Sequence, residues 1–114
     1  GRFWRRRDDT NVLGGINKRK AKKMSVFLVS YELKNETSSA DYRPLWNALE
    51  ELTSHKVQRS VWLVATTDSA SDVHTHLKQY MDKDDRLWVS KVQRGQYAYS
   101  GALAGTKKFL ADYI

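Results

Sequence analysis

The chain has 114 residues and no cysteine, a length that suits one domain and a composition that excludes disulfides and thiolate metal sites. Its net charge of +7 points to an anionic partner, but the excess is confined to one end. Residues 1–23 hold nine Lys/Arg and two Asp, whereas eleven Lys/Arg are matched by eleven Asp/Glu from Met24 onward.

Residues 1–23 combine clustered charge with Gly14-Gly15 and show no sustained hydrophobic period. They are expected to form a basic, disordered tail, read either as a translated leader or cloning remnant or as an arm that grips phosphates. The arginines have no apolar stretch behind them, so they do not form a secretory signal. No apolar run approaches the roughly 18 residues a membrane helix needs. No membrane partner is expected, and a reducing, cytoplasmic location suits the lack of cysteine.

A folded domain is expected over 24–114. Val26-Phe-Leu-Val-Ser-Tyr-Glu-Leu33 reads as a central strand, with Phe27, Val29, Tyr31 and Leu33 on one face and Val26, Leu28, Ser30 and Glu32 on the other. Residues 34–40 read as a polar loop. Tyr42, Leu45, Trp46, Leu49 and Leu52 then form one helical stripe. Pro44 must fall in its first turn, so the helix should start near Ala40 or Asp41, capped by Ser39 or Asp41. The segment from Lys56 to Thr66 predicts a short strand, a turn or bulge near Arg59-Ser60 and a longer strand, with one continuous strand as the alternative. Ser69-Ala-Ser-Asp72 resembles a capping box and opens a second helix carrying Ala70, Val73, Leu77, Tyr80 and Met81. The Asp82–Asp85 cluster stops it, 86–92 is a strand, 95–105 is loop-like, and 106–113 predicts a short terminal helix.

The order β-α-β-β-α-β implies an α+β, ferredoxin-like sandwich, with helices on one face of an antiparallel sheet and a short C-terminal helix added. The other sheet face should then be bare. A bare apolar face calls for a cover, so a homodimer through that open face is expected.

Three stretches resemble a known family. "VFLVSYEL", "KVQRSVWLV" and "DKDDRLWVSKV" are similar to the first strand, the Val-Gln-x-Ser-Val-Phe segment and the acidic turn of the small CRISPR-associated ferredoxin-like proteins, the Cas "two" family. "DYRPLWNALEEL", "SVWLV", "HLKQYMDKDDRLWV" and "GQYAYSG" are closest to its standalone SinR-like branch. The resemblance covers 24–114 and none of the tail. It implies a dimer with a nucleic-acid role, as a metal-dependent nuclease in some relatives and a structural, DNA-holding dimer in others. In the family an aspartate ends strand one, faces its dimer mate and binds a divalent metal. Glu32 stands there in this chain, so the resemblance implies Glu32 as catalytic residue and ligand of Mg²⁺ or Mn²⁺, with Glu one methylene longer than Asp. The alternative is a solvated strand-end carboxylate paired with Lys34 or Arg59.

Lys56, Arg59, Lys91 and Arg94 would form a patch for RNA or DNA if their strands neighbour each other. Without such a patch, the chain could serve as a protein-interaction dimer. His74 and His76, two apart on a helix, cannot chelate one ion. Asp82, Asp84 and Asp85 lack the glycine and distal Glu of a calcium loop and read as a turn. Trp46 reads as core, Trp62 and Trp88 as core or interface, and Trp4, among arginines, either as part of a leader or cloning remnant or as a stacking contact of the tail.

Overall fold

The computed structural model describes residues 24–34 and 39–114. The tail expectations, including Trp4, lie outside the described residues. Within them the chain is α+β, with a four-stranded antiparallel sheet and three helices. In chain order these are β1 (Ser25–Glu32), a 3₁₀ turn (Ser39–Tyr42), α1 (Arg43–Glu50), β2 (Ser54–Gln58), β3 (Val61–Thr66), α2 (Ala70–Lys78), β4 (Arg86–Val92) and α3 (Thr106–Tyr113). The strands lie in the order β2-β3-β1-β4, and every neighbouring pair is antiparallel. No helix among the described residues is long and apolar enough to cross a membrane.

β1 is central, as its apolar run requires. Its Phe27, Val29 and Tyr31 side chains meet Trp62 and Val64 of β3. Leu45, Ala48 and Leu49 of α1 and Val73 and Leu77 of α2 close over them. The helical stripe is thus buried along Leu45 and Leu49, while Tyr42 and Trp46 pack at its margin. α1 begins later than expected. A 3₁₀ turn takes residues 39–42, and the N-cap position falls on Tyr42, which makes no side-chain cap. Pro44 sits in the first turn, where its missing N–H costs nothing. α2 begins as expected, with the Ser69 hydroxyl accepting from the Asp72 N–H at 3.1 Å.

The hairpin between β2 and β3 turns at Arg59-Ser60, with a register shift between Lys56 and Gln58. The one-strand alternative is therefore excluded. The acidic cluster after α2 is a turn built by its own side chains. The Asp85 carboxylate accepts from the Asp82 N–H at 2.8 Å and from the Lys34 N–H at 2.9 Å. Lys78 donates to the carbonyls of Asp82 and Asp85. This ties the end of β1 to the start of β4.

One expectation needs correction. α1 and α2 share a face, but α3 lies on the other. Its Leu110 packs on Val26, Val57, Leu63 and Ala65, with Phe109, Tyr113 and Ile114 around it. The second face is therefore half covered rather than bare. α3 is fastened at its first turn. The buried Thr106 hydroxyl donates to the Leu103 carbonyl at 2.8 Å, which leaves it to accept from His55 Nε2 at 2.8 Å. Gly105, at φ 96°, takes the left-handed conformation there and lies against the His55 ring, so a side chain would be strained and crowded.

The two α2 histidines diverge as their spacing demands: His74 is exposed and His76 buried. Burial pushes His76 down to about 4 from 6.5. The unfolded chain thus takes up a proton between those values before the folded one does. Stability is complete above pH 6.5 and falls as pH drops towards 4. With the ring partly screened by nearby solvent, about 1 kcal/mol is expected, a Tm fall of about 5 °C from pH 7 to pH 4.5. Calorimetry of His76→Phe beside the parent checks this, because the difference between their pH profiles should carry that fall.

Candidate functional site

Residues directly opposite one another in an antiparallel pair share a face. The register of β1 with its neighbours therefore defines the second face: Leu28 opposite Leu63 and Ser90, Ser30 opposite Val61 and Trp88, and Glu32 opposite Arg86. α3 covers the end near Val26 and Leu63. At the Ser30–Glu32 end, Trp88 is 67% exposed. An indole standing on a sheet with two-thirds of its surface in water is an anchor without a socket among the described residues.

Beside it, Arg86 Nη1 donates to Glu32 Oε1 at 2.6 Å. Both side chains are mostly exposed, so the pair is worth at most about 1 kcal/mol. Glu32 is thus paired with neither Lys34 nor Arg59. Strand register puts a guanidinium 54 positions away directly opposite it. Glu32 is a single carboxylate already held by a cation, and no three His, Asp or Glu side chains converge among the described residues.

The four basic candidates do not assemble. Lys56 and Arg59 belong to β2 and its turn, Lys91 and Arg94 to β4 and its exit, at opposite edges of the sheet. Three strand spacings, roughly 14 Å, separate those edges. Lys56 also lies on the helix-bearing side, its Nζ 4.8 Å from the Trp46 ring centre. Lys91 and Arg94, by contrast, line one groove together. The required adjacency of strands fails because β3 and β1 come between them.

Trp62 is core, and Trp46 is half-buried at the core margin. Sequence reasoning missed what joins them. The Tyr31 hydroxyl accepts from Trp46 Nε1 at 2.7 Å and from Trp62 Nε1 at 3.2 Å, and points its own proton at the Arg59 carbonyl, 3.5 Å away. Burial raises the phenol's pKa, and the two indole donors oppose the rise. The hub fixes the end of β1 immediately before Glu32. The only signal for it was three amphipathic aromatics with one apolar face each. No protein-family model matches the chain, and no solved structure matches it significantly.

Proposed function

We propose that this chain is a nucleic-acid-binding homodimer of ferredoxin-like βαββαβ fold, and that Glu32 serves the dimer interface rather than cleavage. The strand order, which reads 4-1-3-2 from the β4 edge, supports the fold. The exposed Trp88 beside the Glu32–Arg86 pair carries the interface. A two-fold contact is isologous, so the same patch must complement itself. One acid and one base flanking an aromatic anchor do so, because Glu32 of each copy can exchange its Arg86 for the other copy's. The unbalanced charge of residues 1–23 supports a polyanionic partner.

Sedimentation equilibrium of the full chain tests the interface. A dimer is expected. Trp88→Ala should weaken it about 30-fold, the cost of a hot-spot residue. Arg86→Glu places like charges at both symmetry-related contacts and should give monomer. Mixing it with Glu32→Arg restores opposite charges at both contacts and should give a heterodimer. A wild-type monomer, or a dimer indifferent to all three variants, would overturn the interface. Cleavage of RNA or DNA with Mg²⁺ or Mn²⁺, abolished by EDTA and by Glu32→Gln, would make Glu32 catalytic instead.

A further inference from the structure

β4 ends at Val92, and a turn closed by the Gln96 N–H to the Gln93 carbonyl reverses the chain. Gly95, at φ 79°, supplies the left-handed step. The reversed segment runs back along α3 and, with it, walls an open groove. One part, about 770 Å³, is lined by Met24, Lys91 and Gln93. Across the Arg94–Ile114 contact lies a second hollow of about 380 Å³, lined by Tyr97, Tyr99 and Lys107.

Two features of this groove are chemically unusual for a plain surface. Tyr97 and Tyr99 are two residues apart, and their rings lie within 15° of parallel at 6.4 Å between centres. They remain 40% and 45% exposed, so neither is serving the core. Around them the charge is positive: Arg94 and Lys107 line the walls. The acid in the groove, Asp112, is held by Lys108 at 2.9 Å. Arg94 also donates to the backbone oxygen of Ile114, a cation at the negative end of α3. That contact is a structural role, but it engages one guanidinium nitrogen of a group with five N–H donors.

We infer that this groove binds single-stranded nucleic acid, with bases stacking on Tyr97 and Tyr99 and phosphates running past Arg94 and Lys107. The inference rests on the nucleic-acid part of the proposed function and names its site and ligand class. Exposed parallel rings beside cations match a stacking platform with a backbone track. Duplex fails the same test, because its base faces are already stacked inside the helix and unavailable to a tyrosine. An acidic peptide would use the cations but leave the ring faces idle. Ribose and deoxyribose strands share the chemistry, so the experiment must separate them.

Fluorescence anisotropy of the full chain with labelled oligouridine, oligothymidine and a matched duplex decides the point. The chain should prefer a single strand to duplex, and the stronger of the two single strands names the sugar. Tyr97→Ala/Tyr99→Ala should weaken binding about tenfold or more, while Tyr97→Phe/Tyr99→Phe keeps it. Lys107→Ala should reduce the slope of log affinity against log salt by about 0.7, one phosphate contact on a single strand. Circular dichroism of the tyrosine variants should match the parent, since both rings are exposed. Binding that ignores the double alanine variant, or favours duplex, overturns the groove and leaves the charged N-terminal segment as the binder. No binding of any polynucleotide by the parent overturns the nucleic-acid reading itself.

Discussion

Replacing Tyr31 with Phe should cost about 2–3 kcal/mol of unfolding free energy, although it removes one oxygen atom and leaves the ring in place. The reason is the two indoles aimed at that oxygen. Trp62 is buried, so its N–H would lose its acceptor with no water to replace it, a penalty of about 1–3 kcal/mol. Trp46 is half-buried and recovers part of its loss from solvent. The Arg59 carbonyl loses a donor that is already distant at 3.5 Å, which adds little. Against these losses stands only the greater apolarity of Phe, which does not satisfy a donor. Urea unfolding, followed by tryptophan fluorescence, measures the difference. Tyr31→Phe/Trp62→Phe should recover part of it, because the acceptor and one donor then leave together. A loss below about 0.5 kcal/mol would mean that the hub holds no orphaned donor.

The legible parts of this fold were those written in local pattern. An apolar run gave the central strand, a helical stripe gave α1, and Ser69 followed by Asp72 gave the start of α2. The parts that were not legible depend on register or on the choice of face. Phe109, Leu110, Tyr113 and Ile114 make an amphipathic helix, but amphipathicity does not say which side of a sheet it covers. Glu32 could have met Lys34 nearby. It meets Arg86 because the β1–β4 register puts them opposite, and no local signal spans 54 residues. The basic residues looked alike in sequence, yet the topology places Lys56 and Lys91 on opposite edge strands. Tyr97 and Tyr99 were visible only as aromatics in a loop. Their parallel, exposed pairing follows from the turn at Gly95, which folds that loop back along α3.

Leu110→Ala should break α3 away while the rest of the domain stays folded. Leu110 is 6% exposed at the centre of the second core, and truncating a buried leucine typically costs about 2–4 kcal/mol. α3 has eight residues. Isolated helices shorter than about 12 residues are marginal in water, so α3 exists because it docks. Its anchorage is Leu110, the Phe109 ring stacked on His55, the Thr106–His55 contact and the Leu103 N–H to the Val57 carbonyl. The larger core between the sheet and α1 and α2 contains none of these residues except through the strands themselves. The loss should therefore appear as local opening, and the global cost cannot exceed the free energy with which α3 docks. Amide exchange should lose protection across 106–114 and keep it in β1 and β3. An apolar dye should bind where Val26 and Leu63 become exposed. Thr106→Val, which removes the hydroxyl from the latch, should give the same pattern more weakly. Uniform loss of protection through every strand would instead make α3 part of one cooperative unit. Since α3 is also a wall of the tyrosine-lined groove, its release should weaken single-strand binding without touching Tyr97 or Tyr99, so the stability of this short helix and the proposed recognition of nucleic acid fall together.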